Sequence, residues 1–270
     1  MSALKSNPLV SIIITNYNKS NFVINAINSC LKQKYQNVEI ILFDDNSSDN
    51  SIKKIRDFKK KHSLDFKIIT NSKKIIFSAP INQLLAIKKS LNYANGKFVS
   101  LLDADDFFHK NKIFEIVKIL KKNKTKIVLD QPIYKFRKKQ IKKKFSNTML
   151  KNKWPKFPPT SCMSFEIKSL KKVLTKINFK KFPNLAIDFY LAVYYSIVLK
   201  NFYVHNSYLT YYRQVKDGTD SHYLKFRSKK WWIRRKEAFD YLNSLLSKNK
   251  LTTNKSLDFI LTNILNKFLK

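Results

Sequence analysis

Short apolar runs alternate with amphipathic stretches through the N-terminal half of the chain. Four runs have the β-branched, apolar composition of buried strands: residues 9–15, 38–43, 66–70 and the run that begins at Phe98. Between them, apolar side chains recur at helical spacing, as Phe22, Ala26, Ile27, Cys30 and Leu31 do on one face. Strands that alternate with helices predict right-handed crossovers and a mostly parallel sheet, so the expected fold class is α/β.

The C-terminal half of the chain is less regular. Its pattern predicts, in order, a helix over 113–120, a strand over 126–130, a mobile basic connection over 134–159, an extended segment over 161–165, a helix over 185–199, edge strands over 202–205 and 208–213, and helix from Tyr223 onward. Gly96 is expected to end the helix that precedes the Phe98 strand. We therefore expect a main domain of residues 1–220 and a basic helical C-terminal extension of residues 221–270.

Carboxylates directly follow two of the predicted strands. Asp103, Asp105 and Asp106 end the Phe98 run, and Asp44 and Asp45 end the run 38–43. In open α/β sheets the ligand crevice lies at the carboxyl ends of the strands, where paired carboxylates suit a hard divalent cation that also binds substrate phosphates. The alternative is a solvated acidic turn that caps the following helix, the role we expect for Asp49.

The scarcity of glycine excludes several nucleotide-binding motifs. Only Gly96 and Gly218 occur, whereas a P-loop, a dinucleotide-binding turn and the glycine-rich loop of nucleotidylyltransferases each need several glycines close together. Cys30 and Cys162 have no metal-ligand spacing, so we expect both to be reduced and buried. A first strand that begins by Leu9 leaves no room for a signal peptide, which favours a cytoplasmic location.

The chain is strongly basic, with 54 Lys and Arg against 18 Asp and Glu and a net charge of +36. Residues 110–156 alone contain 17 basic and 2 acidic residues. Such a charge favours anionic partners: nucleotide phosphates, acidic lipid or nucleic acid. The alternative is a general compositional bias toward Lys, Asn and Ile, without a selected patch.

Five motifs follow one another along the chain. They are VSIIITNYN at 10–18, FDDNSSD at 43–49, NGKFVSLLDADD at 95–106, IDFY at 187–190 and YYR at 211–213. Over residues 9–213 the chain resembles the family 2 glycosyltransferases of the GT-A fold. The resemblance implies a Rossmann-like nucleotide-diphospho-sugar transferase fold. It also implies an inverting, metal-dependent transfer of a sugar from a nucleotide donor, a UDP-sugar favoured, to a glycan or lipid-linked hydroxyl in cell-envelope synthesis.

The same resemblance implies the residues that bind the donor. Thr15 and Tyr17 would line the pocket of the nucleotide base, and Asp45 would accept a hydrogen bond from the base imide, which suits uracil or thymine. Asp103 would meet the ribose or the metal, and Asp105 would coordinate Mg²⁺ or Mn²⁺ between the two phosphates. For Asp44 and Asp45 the alternative role is helix capping.

The resemblance also implies a catalytic base and basic contacts to the diphosphate. Asp188 would take the proton of the acceptor hydroxyl; the family usually carries an acidic pair here, but this chain has Ile187 at the partner position. A helix cap is the alternative for Asp188. Arg213 and His222 are loose counterparts of the family's phosphate and metal contacts, and a surface arginine is the alternative for Arg213. In the helix before Gly96, the segment 86–90 replaces the family's usual ARNxG, and Asn82 and Gln83 could substitute for it.

Two other functions and one surface role remain open at this point. The net charge and the aromatics among the lysines of 134–157 are compatible with a nucleic-acid-binding protein, although no known nucleic-acid module is present. Ile187 is also compatible with a homologue that binds the donor without catalysis. The basic segment 225–236 could attach the protein to an anionic membrane with a helical stripe of Trp232, Phe239, Leu242 and Leu246, or this stripe packs against the main domain.

Overall fold

The structure, a computed structural model, describes residues 7–71, 78–151, 154–215 and 228–268. Its strands are β1 (Val10–Asn16), β2 (Val38–Asp44), β3 (Lys67–Thr70), β4 (Phe98–Asp103), β5 (Phe107–Phe108), β6 (Ile127–Lys135), β7 (Gln140–Lys142), β8 (Met163–Glu166) and β9 (Tyr203–Arg213). Its α-helices are α1 (Val23–Leu31), α2 (Ser51–Lys61), α3 (Ala79–Leu91), α4 (Lys112–Asn123), α5 (Asn147–Lys151), α6 (Ile167–Lys176), α7 (Ile187–Val193), α8 (Lys229–Lys248) and α9 (Leu257–Phe268). A 3-10 turn spans Thr160–Cys162, and a π-helical segment spans Tyr194–Val198.

Within the described residues the strands form one sheet in the order β3-β2-β1-β4-β8-β6-β9-β5, and β7 pairs with β6. The run from β3 to β4 is parallel, as the strand and helix alternation predicts. The register places Thr15 beside Asp103 and Asn16 beside Asp44. The carboxyl ends of β1, β2 and β4 therefore meet at one edge of the sheet.

The central strands are buried on both faces, which is why they are continuous apolar runs in the sequence. On β1, Ile12 and Ile14 belong to the core that α1 and α4 cover, whereas Ile13 belongs to the core that α3, α6 and α7 cover. Cys30 and Cys162 are both buried and form no disulfide, as expected. The sheet thus separates two apolar layers and carries its polar groups at the strand ends.

The expected mobile connection over 134–159 is wrong. β6 extends to Lys135, β7 and α5 lie within the segment, and the side chains of Phe145 and Leu150 are buried in the main core. Gln131 fastens the segment, because its Oε1 accepts the Phe145 amide at 2.7 Å and its Nε2 donates to the Phe145 carbonyl at 3.1 Å. Because lysines separate Phe145 from the apolar residues of β6, the local apolar periodicity of the sequence does not reveal that Phe145 is buried.

The two expected edge strands over 202–213 are one strand, β9, which lies between β6 and β5. The polar pair Asn206 and Ser207 interrupts the apolar alternation of the sequence, but the ladder to β6 continues through register shifts around Gln131 and Pro132. The expected long helix over 185–199 is α7 followed by the π-helical segment. The strand pairing, which joins distant residues, decided these points.

α8 packs its apolar stripe against the rest of the protein. Trp232, Phe239 and Leu242 are buried, and Leu246 packs against the main core. Of the two roles for this stripe, packing is therefore correct and membrane contact through it is wrong. The boundary expected between residues 220 and 221 lies outside the described residues. Within the described ranges, no helix combines the length and apolar character that crossing a bilayer requires.

Gly96 does not end a helix, because α3 ends at Leu91. Its amide instead donates to Ser11 Oγ at 3.0 Å and to Glu39 Oε1 at 3.1 Å. A Cβ at this position would lie 2.6 Å from the Ser11 amide nitrogen and 2.7 Å from the Phe98 carbonyl oxygen. Only glycine lets the chain pass this close to the start of β1.

We predict that Gly96→Ala destabilises the protein by about 1–3 kcal/mol, because backbone atoms rather than a flexible side chain must move. Chemical denaturation at equilibrium measures this loss. The control is Asn92→Ala, an exposed position in the same connection, which should change the free energy of unfolding by less than about 0.5 kcal/mol. A neutral effect of the Gly96 change would contradict the close-approach explanation.

Candidate functional site

The tip of β2 is tied to the tip of β1 through Asp44. This buried carboxylate accepts Asn16 Nδ2 at 2.6 Å, the Ser47 amide at 3.0 Å and Ser47 Oγ at 2.7 Å. Its oxygens thus hold the two loops together. Asp49 accepts the amide of Ser51, the first residue of α2, at 2.9 Å and so has the capping role expected of it.

Asp45 and Tyr17 lie beside this tie on the outer side of the two strand tips. Asp45 is partly exposed, and its Oδ1 accepts Asn71 Nδ2 at 2.5 Å. Lys89 Nζ in turn donates to Asn71 Oδ1 at 2.6 Å, which orients the amide. Tyr17 is 41% exposed. Asn71 and Lys89 had no motif in the sequence that could have identified them.

Asp103 is the central carboxylate of the site. Its Oδ1 accepts Thr15 Oγ1 at 3.1 Å and Gln83 Nε2 at 2.6 Å. Its own amide donates to Ser161 Oγ at 3.0 Å. Gln83, considered as a substitute for donor-sugar contacts, therefore bonds to the acid cluster. The aspartate is fixed in orientation by three separate elements of the fold.

Asp105 lies between two basic side chains. Lys19 Nζ is 3.3 Å from Asp105 Oδ2, and Arg213 Nη1 donates to the Asp105 carbonyl at 2.7 Å. The Arg213 guanidinium also donates to Asn25 Oδ1 at 2.7 Å and lies over the Phe107 ring, 4.5 Å from its centroid. Arg213 thus bonds to the acidic loop, and its expected contact with the diphosphate stays a prediction.

Asp106 is an anchor of the same loop. Its side chain is fully buried, accepts Ser161 Oγ at 2.6 Å and accepts the Arg213 amide at 2.8 Å. Burial, together with the nearby charges of Asp105 and Asp103, raises the pKa of Asp106 well above its usual value. Of the three carboxylates, Asp106 stabilises the loop, while Asp103 and Asp105 remain partly exposed.

A buried ion pair supports the loop from beneath. Lys112 Nζ lies 2.6 Å from Asp130 Oδ2, and neither side chain is exposed. Lys112 also donates to the Ser161 carbonyl at 2.6 Å and to Thr210 Oγ1 at 2.7 Å. Ser161, Lys112 and Thr210 were not identified from the sequence. Asp130 had one visible signal, since it is a carboxylate at the end of an apolar run.

Asp188 lies in the first turn of α7 and is partly exposed. Its Oδ1 accepts the amide of Phe189 at 2.7 Å. The N-cap residue of α7 is Ala186, so Asp188 is not the helix cap that the alternative supposes. The charge of Asp188 also contributes to the raised pKa of Asp103. Ile187 is buried in the core and has no access to the site.

The acid cluster concentrates negative charge. Burial, then the charge of Asp105 and that of Asp188, raises the pKa of Asp103 to about 7. Among the described residues no group of three Asp, Glu, His or Cys side chains could by itself hold a metal ion. Two carboxylates suffice, however, where substrate phosphates and water complete the coordination, and mutual repulsion of the acids favours a bound cation. His222, the third expected ligand, lies outside the described residues.

The parallel strands, with an acidic loop at the carboxyl end of β4, have the arrangement expected of a glycosyltransferase of the GT-A fold. Residues 11–187 match the family described as Glycosyl transferase family 2. The chain belongs to this family. The match confirms the family that the five motifs predicted and, with it, the enzyme class of glycosyltransferase.

Curated relatives carry the same class name. An uncharacterized glycosyltransferase of Haemophilus influenzae is 38% identical over 109 residues, 39% of this chain and 40% of that protein. The Escherichia coli protein WfgD, UDP-Glc:alpha-D-GlcNAc-diphosphoundecaprenol beta-1,3-glucosyltransferase, is 35% identical over 115 residues, 43% of this chain and 42% of its own length. The chain therefore spans about two fifths of the length of the curated relatives it matches.

Solved structures support the fold. S. aureus TarS 1–349 in complex with UDP has a TM-score of 0.59 at 15% identity, over 88% of this chain and 72% of TarS. The mannosyltransferase PcManGT of Pyrobaculum calidifontis, in complex with GDP-Man and Mn²⁺, has a TM-score of 0.59 at 17% identity, over 98% of this chain and 70% of its own. The GT-A fold expected from the resemblance is confirmed.

We predict that stability without divalent cations falls as the pH rises through about 7. The pKa of Asp103 is about 7 in the folded protein against a usual value of 3.8, so the folded state binds the proton more tightly. The stabilisation that this proton gives the folded state is complete below pH 3.8 and is lost above about pH 7. Asp103→Asn mimics the protonated acid and should become more stable than wild type by roughly 1–3 kcal/mol, discounted for partial exposure, between about pH 5 and pH 8.

Denaturant unfolding in EDTA across this pH range measures the difference. The control is Asp57→Asn, which removes the same charge from an exposed position on α2 and should leave a constant offset from wild type. If the free energy of unfolding has the same pH dependence in Asp103→Asn and in wild type, the raised pKa does not belong to Asp103.

Proposed function

We propose that this protein transfers a sugar from a nucleoside diphosphate donor, a UDP-sugar favoured, to an acceptor hydroxyl with inversion at the anomeric carbon. The observation that carries the proposal is the acidic cluster at the carboxyl end of β4, where Asp103 accepts hydrogen bonds from Thr15 and Gln83. Asp105 follows two residues later, and the charge of Asp188, in the first turn of α7, contributes to the raised pKa of Asp103. Transfer with inversion needs a site for the departing diphosphate and a carboxylate on the other side of the sugar. The two acids at β4 and the acid on α7 supply these two parts.

The tips of β1 and β2 would bind the nucleotide. Tyr17 offers an exposed ring on which a base can stack. Asp45, oriented by Asn71, would accept the imide hydrogen that uracil has and cytosine lacks. Thr15 and Asp103 would line the path from the base to the ribose. The UDP complex of the structural neighbour TarS is consistent with this donor class.

Asp103 and Asp105 would hold Mg²⁺ or Mn²⁺ together with the diphosphate oxygens. A bound cation would supply positive charge to the leaving diphosphate. Arg213 positions the Asp105 backbone and would lie near the phosphates, and His222 is a further proposed ligand. Lys19, now 3.3 Å from Asp105, could also contact a phosphate. The Mn²⁺ named with PcManGT supports a divalent cation without distinguishing the two metals.

Asp188 would accept the proton of the acceptor hydroxyl as that oxygen attacks the anomeric carbon. It stands on a rigid element, because the carbonyl of Tyr190 accepts the Tyr241 hydroxyl at 3.2 Å and Ile187 is locked in the core. The name of WfgD describes an acceptor on diphosphoundecaprenol. A lipid-linked or other envelope glycan is therefore the acceptor we propose.

We predict that UDP with Mn²⁺ raises the thermal midpoint of wild type by about 3–6 °C at saturating ligand, and that excess EDTA abolishes this shift. Asp105→Asn should lose the metal-dependent part, because one carboxylate ligand is gone. The matched control, Asp57→Asn, should keep the full shift. An equal shift with UDP in EDTA would refute metal-dependent donor binding.

We predict that Asp188→Asn retains UDP and Mn²⁺ binding within about twofold but loses about a hundredfold or more in transfer rate, because a general base acts on the transition state. The assays are calorimetric titration of the donor and UDP release with a diphosphoundecaprenol-linked acceptor. Wild-type turnover in this variant would reassign the base. Donor binding by wild type without any turnover would instead indicate the homologue that binds its donor without catalysis.

A further inference from the structure

The last described helix, α9, has its polar and apolar faces inverted. It buries the side chains of Thr262 and Asn266 against the protein. Its large apolar side chains are exposed instead: Leu257 at 86%, Ile260 at 46%, Leu261 at 49%, Ile264 at 47% and Phe268 at 82%. A surface helix of a globular protein normally turns its apolar face to the core. The inversion therefore requires an explanation.

Specific polar contacts with α8 hold α9 in this orientation. Asn266 Nδ2 donates to the Trp232 carbonyl at 3.0 Å. Arg235 forms an ion pair with Asp258 in the first turn of α9. Apolar side chains of α9 also face inward: the Phe259 ring lies 5.4 Å from that of Phe239, centroid to centroid, and Leu265 is partly buried. Polar contacts thus hold one face of α9 against α8, and the large apolar side chains of the opposite face are exposed.

The exposed residues form one continuous stripe. They recur along α9 at positions i, i+3, i+4, i+7 and i+11, which is the spacing of one side of an α-helix. Contiguous apolar surface of this kind on a soluble domain marks a contact with a partner or a membrane. We refer to Leu257, Ile260, Leu261, Ile264 and Phe268 as the α9 stripe.

Exposed lysines flank the α9 stripe along the chain. They lie at the end of α8, in the connection to α9 and in the last turn of α9: Lys248, Lys250, Lys255 and Lys267. The acids among residues 228–268 are engaged with other groups. Glu237 accepts the Asn184 amide at 2.7 Å, Asp240 pairs with Lys236 at 2.5 Å, and Asp258 pairs with Arg235. The outward surface is apolar and basic.

We propose that α9 docks on the surface of an anionic lipid bilayer, with the α9 stripe at the boundary of headgroups and acyl chains and the lysines among the anionic headgroups. Charge complementarity favours an anionic bilayer over a second copy of the chain as the partner of the α9 stripe. A second copy of the chain would bring another net charge of +36 to the same place and would be repelled. This interface differs from the membrane contact expected at the stripe of α8, which is buried.

Docking of α9 would also orient the candidate site. α8, which carries α9, is bonded on both sides of Asp188: Glu237 binds Asn184, and the Tyr241 hydroxyl donates to the Tyr190 carbonyl. α7 would therefore keep a constant position relative to the bilayer, as a lipid-linked acceptor requires. The docking proposal does not rest on the proposed transfer chemistry, because its test measures binding alone.

The test is co-sedimentation of the full chain with phosphatidylcholine vesicles, with and without phosphatidylglycerol. We expect binding to the anionic vesicles, and we expect Ile260→Gln/Ile264→Gln to weaken it by about tenfold or more, because two inserted side chains become polar. The matched control is Leu31→Gln/Phe114→Gln, which changes two side chains of similar exposure, 41% and 53%, on α1 and α4. It should bind within about twofold of wild type.

A dye reports whether the helix inserts. Cys30 and Cys162 are buried, and burial raises the pKa of Cys30 to about 12, so an environment-sensitive label will react chiefly at Ile264→Cys. A blue shift of its emission on anionic vesicles would support insertion. If the Ile260 and Ile264 changes leave vesicle binding intact and the dye shows no blue shift, the proposal is overturned. Electrostatic attraction without insertion would then explain the binding. The proposal is also overturned if the protein does not bind vesicles but self-associates in sedimentation velocity, and the same changes abolish this self-association. The α9 stripe would then contact a second copy of the chain.

Discussion

The buried ion pair between Lys112 and Asp130 is the interaction on which the site depends. Removing one partner would leave a charge in a site without solvent, at a cost of about 3–5 kcal/mol, so the two charges must enter the core together. Lys112 also binds the carbonyl of Ser161 and the hydroxyl of Thr210, which lie 49 and 98 residues further along the chain. One ammonium group therefore joins α4, the 3-10 turn before β8, and β9 at a single point.

Ser161 connects the ion pair to the acidic loop through hydrogen bonds. Its hydroxyl accepts the Asp103 amide and donates to Asp106, so it fixes the loop that carries Asp103 and Asp105. The like charges of these acids repel, and the loop tolerates them because backbone amides and polar side chains bond the buried oxygens. A bound cation would relieve this unfavourable electrostatic energy, and the net charge of +36 favours anionic partners.

The distribution of positive charge has two structural explanations. β7 lies off the main path of the sheet, and its exposed neighbours Lys138, Lys139, Lys143 and Lys144 blunt an edge that could otherwise pair with another chain. The lysines near α9 instead lie along the chain beside an exposed apolar stripe, on a helix that specific polar contacts bond to α8. Compositional bias remains an alternative explanation of the total charge.

The sequence alone determined β1, β2 and β4, the carboxylates at their ends and the family, because each signal lies within about a dozen consecutive residues. It did not reveal the order in 134–159, where Phe145 is held by Gln131 at a distance of 14 residues, nor the partners of Ser161. It could not decide which way α8 and α9 face, since helical periodicity is the same whether an apolar side meets protein or solvent. The tertiary structure decided these points, because contacts between distant segments place the apolar face of α8 inside the protein and that of α9 outside it.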